Sequence, residues 1–269
     1  MQLTQFPARI HVLLASRAPV GVVIRRGPAK QVATMLWDRT RDEFKMGQWL
    51  KGRIYERLCD LSPDGKYFLY SAGKAGTSWT GVSHAPFLKA ISMYLIGGEC
   101  WLGGGVWTSE TTYLLNSGQR HTIRGSREVV ASNQKEPPPV VDCVQDLSRY
   151  APRLIRDGWN VTRVENIGTW QAEQTFEKQI SPEWMLRKLA HPGSVGKGCY
   201  WEEHQLVHPT SGVSIAYPDW EWADLDGTRL VWATGGKLFT GSVLAEGLAN
   251  ETLLFDFNGM LFTPIEAPY

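Results

Sequence analysis

The amino-acid sequence predicts an all-β protein, and three observations support that prediction. Helical periodicity is almost absent along the chain. Short apolar or alternating runs are separated by Gly, Pro, Asp and Asn, which is the pattern of strands joined by turns. An Asp-Gly turn followed by an aromatic strand occurs twice, at Asp64–Gly65 and at Asp226–Gly227. The best helical candidate, Ser181–Ala190, fits a strand equally well.

Each of the two Asp-Gly units predicts a turn and the strand that follows it. In the first, Leu61–Lys66 predicts a turn and Tyr67–Tyr70 predicts the strand that follows it. In the second, Asp224–Arg229 predicts the turn and Leu230–Ala233 the strand. A further turn is expected at Gly235–Gly236, since two adjacent glycines permit the backbone conformation of a tight hairpin.

Weaker copies of this unit lie between the two clear ones. Ser109–Thr112 precedes Tyr113–Leu115, and Asp157–Gly158 precedes Trp159–Val161. A propeller blade of four antiparallel strands takes about 40–50 residues, and most copies recur at about that spacing. The units span roughly residues 9–50, 53–96, 99–130, 150–190 and 200–262. The sequence therefore predicts one domain over residues 1–269, a small β-propeller of five blades, with six blades as the alternative.

A propeller ring must be closed, and both ends of the chain offer a strand for the closing blade. Ala8–Leu14 has the composition of an apolar strand, and Asn258–Pro264 lies near the other end of the chain. We expect the two termini to share the closing blade, because this pairing would leave no exposed sheet edge.

The segment Leu61–Tyr70 resembles the Ser-Pro-Asp-Gly turn and strand of WD-repeat and TolB-like propellers. The copy at Asp226–Gly227 lacks the Ser-Pro pair, and the Gly-His and Trp-Asp signatures of the WD repeat are missing. The chain is thus similar to divergent bacterial propellers, and as a whole to an uncharacterised bacterial protein family. This resemblance implies a repeat fold and supplies no activity to transfer.

The composition of the chain argues against some kinds of binding partner and some cellular compartments. The formal net charge of +1 gives no general attraction to nucleic acid or to an anionic membrane. No run of 18 apolar residues is present, and residues 1–16 lack the pattern of a secretion signal. The four cysteines lie far apart, which indicates reduced thiols, although an even count permits disulfides. We therefore expect a cytoplasmic protein without a membrane or nucleic-acid partner.

One group of residues has the chemistry of a metal site. His204 and His208 are four residues apart, Glu202 lies beside them and Cys199 lies upstream. Zinc uses such ligands, but this spacing matches no common structural zinc pattern. We therefore predict no bound zinc, no cofactor and no catalytic residues.

Two segments are candidates for binding a partner. Gly97–Trp107 combines a glycine triplet with Trp101 and Trp107, which suits either a stacking surface or large rings packed between blades. The basic stretch that follows contains Arg120 and Arg124, which could contact an acidic partner or simply discourage edge pairing. The sequence-based prediction for the partner-binding residues is Trp101, Trp107, Arg120 and Arg124.

The absence of a recognisable catalytic motif favours a binding role. We predict a protein-interaction module, that is, a scaffold, adaptor or regulatory subunit whose partner is another protein. One alternative is a lectin-like propeller that uses some of its twelve tryptophans to bind a ligand. A second alternative is an enzyme with a divergent site in the central channel.

Overall fold

The computed structural model describes residues 6–27, 30–97, 100–116, 120–132, 147–166, 173–191 and 200–269. It contains 59% strand and 5% helix, which confirms the all-β prediction. Its contacts divide into two compact units, Met1–Pro138 with Met260–Tyr269, and Pro139–Gly259. The single domain over residues 1–269 stays a prediction. In the described ranges, no helix is long and apolar enough to cross a membrane.

The first unit is built from three sheets. Its strands are β1 (Arg9–Leu14), β2 (Val20–Arg26), β3 (Gln31–Asp38), β4 (Glu43–Lys51), β5 (Arg53–Ile54), β6 (Asp60–Leu61), β7 (Tyr67–Lys74), β8 (Thr77–His84), β9 (Ser92–Ile96), β10 (Gly105–Trp107), β11 (Thr112–Leu115), β12 (Arg120–Arg124) and β13 (Val130–Ala131). Sheet 1 has the order β1-β2-β3-β4. Sheet 2 has the order β12-β9-β8-β7-β5, with β6 also paired to β7. Sheet 3 has the order β10-β11-β13, and β11 and β13 are parallel.

Strand β7 shows why these three sheets pack against one another. Successive side chains of a strand point to opposite faces. Phe68 and Tyr70 accordingly join one core cluster with residues of sheet 1, whereas Tyr67 and Leu69 join another with residues of sheet 3. Sheet 2 is therefore buried on both faces, which explains why β7 is an almost continuous apolar run rather than an alternating one.

In its described residues, the second unit contains one helix and two sheets. Its elements are α1 (Leu147–Arg156), β14 (Asn160–Glu165), β15 (Glu173–Gln179), β16 (Met185–His191), β17 (Trp201–His208), β18 (Val213–Tyr217), β19 (Trp220–Asp226), β20 (Arg229–Thr234), β21 (Lys237–Leu244) and β22 (Gly247–Asp256). Sheet 4 comprises β14–β18 and sheet 5 comprises β19–β22, each in sequential order. Phe176 and Leu206 of sheet 4 share one core cluster with Trp220 and Trp232 of sheet 5. Burial of these large rings holds the two sheets together.

Most of the predicted turns and strands are confirmed. The Gly65 amide donates to the Ser62 carbonyl at 2.8 Å, and β7 follows this turn. Residues Asp226 and Arg229 pair across the second turn, at the start of β20. The segment Ser181–Ala190, which fitted a helix or a strand equally well, is mostly a strand, since β16 covers most of it.

Two features differ from the sequence-based expectation. Helix α1 was not predicted, and Asp157–Gly158 ends this helix before β14 begins. The expected closing blade is wrong, because residues 258–264 form no strand and β1 pairs with β2 in a different sheet from β22. Instead, the Ile265 carbonyl accepts a 2.8 Å hydrogen bond from Gln48 Nε2 on β4. The last ten residues therefore pack on the first unit without extending a sheet.

Candidate functional site

A cleft with basic walls opens at one end of sheets 1 and 2. It has a volume of about 440 Å³, and four cationic side chains line it: Lys30, Lys51, Arg53 and Lys74. We call this site the basic cleft. Tyr55, Thr77 and Ser78 add hydroxyl groups to its lining, and Cys100 adds a thiol.

Strand register brings these residues together from distant parts of the chain. Gln31 pairs with Lys51 across β3 and β4, which places Lys30 beside the end of β4. Arg53 pairs with Gly73 across β5 and β7, so the next residue along β7, Lys74, lies close to that junction. The cleft is thus formed by chain segments at the same end of two packed sheets.

A tight hairpin holds one wall of the basic cleft. Lys74 and Thr77 pair directly, which leaves a two-residue turn of Ala75 and Gly76. Both turn residues have positive φ angles, of 50° and 82°, as a type I′ turn requires. This turn matches the natural twist of the two strands, so it fixes the position of Lys74 and Thr77.

Gly52 permits the close approach of the β4–β5 junction to β7. A Cβ atom at this position would lie 2.7 Å from the Gly73 carbonyl oxygen, which no side chain tolerates. The neighbouring residues Lys51 and Arg53 are both exposed. The glycine thus lets the backbone pack tightly while two cations project on either side of it.

Cations dominate the described lining of the basic cleft. Among the described residues that line it, none is Asp or Glu. The nearby carboxylate of Glu56 is buried and pairs with Arg26 Nη2 at 2.8 Å. Lys51 Nζ lies 4.4 Å from the ring centroid of Phe262, a cation–π contact that leaves its charge in place. A cavity whose described lining combines three exposed lysines with further donors is suited to bind an anion.

Trp107, predicted to bind a partner, is instead a core residue. It is 1% exposed and packs against the rings of Tyr67 and Tyr113, with centroids 5.9 and 5.1 Å away. Its backbone N–H donates to Asp60 Oδ2 at 2.7 Å. A ring enclosed in this way has no surface to offer a partner, so the alternative of large rings packed inside the fold describes it.

The adjacent glycine triplet also serves packing. A Cβ atom at Gly104 would lie 2.0 Å from the Leu58 carbonyl oxygen, and one at Gly105 would lie 2.2 Å from that of Leu114. Backbones can approach this closely only where the side chain is hydrogen. The glycines of this segment therefore allow the backbone to approach Leu58 and the paired strand β11 closely.

The other three predicted binding residues are not among the described residues that line the basic cleft. Arg120 and Arg124 begin and end the edge strand β12, and Arg124 is exposed, with Nη1 donating to the Ala90 carbonyl at 3.3 Å. Trp101 lies in a short 3-10 helix, Cys100–Leu102. The side chains of Trp101 and Arg120 lie outside what the structure describes, and their binding role stays a prediction.

Two of the candidate metal ligands, Glu202 and His204, belong to a buried ionic cluster in the second unit. Lys188 Nζ lies 3.1 Å from the Tyr150 hydroxyl and 3.4 Å from Glu202 Oε2. His204 Nε2 lies 3.7 Å from the same carboxylate oxygen, and its Nδ1 contacts the Trp220 carbonyl at 3.1 Å. We call these residues the Lys188 cluster. Lys188, Glu202 and His204 are all buried. Through Tyr150 and Trp220, the cluster connects sheet 4 to helix α1 and to sheet 5, and it does not face a ligand.

Burial controls ionisation in the Lys188 cluster. It lowers the pKa of His204 to about 4, and the positive charge of Lys188 adds to this effect. Burial likewise lowers the pKa of Lys188, while the carboxylates of Glu202 and Asp224 oppose that shift. His204 is therefore neutral in the folded protein near neutral pH. Across the described ranges, no three His, Cys, Asp or Glu side chains are grouped so that they could hold a metal ion. Cys199 lies outside those ranges.

Comparison with known proteins supplies no family for this chain. A scan of protein-family models found no match, and a search of curated protein sequences found none either.

Sequence reasoning missed the basic cleft because no local motif marks it. The signals in the sequence are the triplet Lys51-Gly52-Arg53 and the hairpin Lys74–Thr77. These two segments are separated along the chain by more than one strand. Only the pairing of β3 with β4 and of β5 with β7 places them in one cavity. Register of this kind follows from tertiary packing and is not readable from either segment alone.

Proposed function

We propose that this protein is a non-catalytic protein-interaction module, a scaffold, adaptor or regulatory subunit, that binds an acidic segment of a partner protein in the basic cleft. The observation that carries the proposal is the convergence of Lys30, Lys51, Arg53 and Lys74 on one cavity. Like charges repel one another, and an anion bound among these side chains would offset that repulsion. An acidic segment of another protein supplies that anion.

The charge distribution favours a local and specific contact. The whole chain has a formal net charge of +1, so attraction to acidic molecules in general is weak. The basic cleft concentrates positive charge at one place on hairpins and strand ends that are fixed by backbone pairing. Complementary charge at such a site increases association rate and selects the partner that matches it.

We also propose that the five sheets are the five blades of a small β-propeller. Support comes from the packing of sheet 2, which uses one face against sheet 1 and the other against sheet 3. Four of the five sheets contain a run of at least four antiparallel strands in meander order, as a blade does. Loops at the ends of blades are the usual binding surface of this fold, and the basic cleft is formed from such chain segments.

Partner capture by charge-reversal variants tests the proposed function. Lys30→Glu/Lys74→Glu removes two of the four cations and adds two carboxylates. Both lysines are exposed, and in the described part of the chain neither forms an ion pair, so the fold should be unaffected. We expect this variant to lose the partner that the wild-type chain captures from its native host, with an unchanged melting temperature.

A second pair of substitutions controls for the change in total charge. Arg41→Glu/Arg127→Glu makes the same change at two exposed positions outside the basic cleft. This control should capture the partner as the wild type does. Equal capture by both variants, or equal loss from both, would contradict a binding role for the basic cleft.

A further inference from the structure

We propose that the group recognised by the basic cleft is a phosphoryl group on the partner, so that the module binds a phosphorylated segment. This inference rests on the proposed function, because it specifies the chemistry of the acidic segment. Three observations support it: the number of charges, the kinds of donor and the size of the cavity.

The number of cations exceeds what a single carboxylate needs. Four cationic side chains line the basic cleft, and the described lining contains no carboxylate. A carboxylate side chain has one negative charge, whereas a phosphorylated Ser, Thr or Tyr has about 1.5 to 2 at pH 7. The more highly charged group offsets more of the mutual repulsion of the three lysines among them.

The kinds of donor also fit a phosphoryl group. The lining includes the guanidinium of Arg53, a kind of group whose N–H donors suit phosphate oxygens. The three lysines are point charges that suit phosphate equally well, and the hydroxyls of Thr77 and Ser78 are further donors. A phosphoryl group has three strongly accepting oxygens and can use several of these donors together.

The dimensions and location of the basic cleft favour a phosphorylated protein segment over free phosphate, nucleic acid or lipid. A cavity of about 440 Å³ has room for a phosphoryl group together with flanking residues. A nucleic-acid surface normally extends as a basic patch or stripe on a basic domain, whereas this chain has a pI of about 7.7. A membrane presents its phosphates on a broad surface, which a concave site between hairpins contacts poorly.

Peptide libraries measured against the full-length chain test this inference. Three matched fluorescent libraries would have a central phosphorylated Ser, Thr or Tyr, the same residue unmodified, or Glu at that position. We expect the phosphorylated library to bind at least about tenfold more tightly than either of the others. Lys30→Glu/Lys74→Glu should abolish that preference, Arg41→Glu/Arg127→Glu should retain it, and inorganic phosphate should compete.

The alternative outcomes separate the two proposals. Equal binding of the phosphorylated and Glu libraries, both dependent on the basic cleft, would overturn the phosphoryl inference and leave an acidic-segment module. Equal binding of all three libraries to the wild type and to the Lys30→Glu/Lys74→Glu variant would overturn both proposals. Tighter binding of a DNA or RNA oligonucleotide, or of phosphatidylserine vesicles, than of the phosphorylated library would overturn the phosphoryl-protein assignment.

Discussion

At the scale of single residues, Trp107 shows how a side chain suited to binding can serve packing instead. Its ring lies between Tyr67 and Tyr113, in the cluster that joins sheets 2 and 3. Its backbone is fixed by Asp60. The residues around it come from three separate strands. The sequence near Trp107 therefore shows a large aromatic side chain but does not show which residues bury it.

Replacing Trp107 should therefore cost stability rather than binding specificity. We expect Trp107→Ala to lower the free energy of unfolding by about 3–5 kcal/mol, since it leaves a large cavity. Thermal unfolding measures this loss. The exposed residue Arg124 provides a comparison, and Arg124→Ala should change stability by less than about 0.5 kcal/mol. A stable Trp107→Ala protein that fails to capture its partner would instead support the sequence-based binding role.

His204 makes the stability of the fold depend on pH. Its pKa in the folded protein is about 4, well below its usual value of 6.5, because the imidazole is buried. Between these values the unfolded chain binds a proton that the folded chain does not. Stability should therefore be fully present above about pH 6.5 and should fall as the pH drops towards 4, by on the order of 3 kcal/mol.

The pH slope of unfolding tests this dependence on His204. We expect His204→Gln to flatten the fall in denaturation midpoint between pH 6.5 and pH 4, whatever its effect on stability at neutral pH. The exposed His121 provides the control, and His121→Gln should keep the wild-type slope. Identical slopes in all three proteins would show that His204 is not buried in its neutral form.

At the scale of elements, the Asp-Gly turns were predictable because their interactions are local. In the first turn, Asp64 Oδ1 accepts hydrogen bonds from Ser62 Oγ at 2.7 Å and from the Lys66 amide at 3.1 Å. Helix α1 was not predictable in this way. Its described buried apolar residues are Tyr150, Ala151 and Leu154. Pro152 lies within the helix, so the helical pattern is short and interrupted.

The two Asp-Gly turns should differ in their tolerance of a side chain. Gly65 and Gly227 both have positive φ, but an added Cβ would lie 2.1 Å from Val20 at the first position and in open space at the second. Gly65→Ala should lower the free energy of unfolding by about 1–3 kcal/mol more than Gly227→Ala. Urea unfolding measures both.

Gly76→Ala is the matched control for this comparison within the first unit. Gly76 also has positive φ, and nothing lies within 4 Å of an added Cβ. This variant should resemble Gly227→Ala. If all three substitutions had equal cost, contact with Val20 would not be what constrains the first turn.

At the scale of the whole molecule, the sequence could predict sheet content more readily than the binding site. Alternation and turn residues each depend on a few neighbouring positions. The predicted units 150–190 and 200–262 differ from the observed sheets, because β17 and β18 pair with β16 in sheet 4. The basic cleft depends on register between β3 and β4 and between β5 and β7, which join residues far apart in the chain. That is why Arg120 and Arg124, which lie in one short basic stretch of the sequence, were predicted while Lys30 and Lys74 were not.

Lysine footprinting of the captured complex is the most direct test of the basic cleft as the contact surface. Brief acetylation followed by mass spectrometry compares the reactivity of each lysine in the free and bound protein. We expect Lys30, Lys51 and Lys74 to become protected on binding, because the partner would cover their ammonium groups. The reactivity of Lys66 and Lys237, which lie outside the lining, should be unchanged. Unchanged reactivity of the three cleft lysines in a complex that protects other lysines would contradict the assignment of the basic cleft as the binding site.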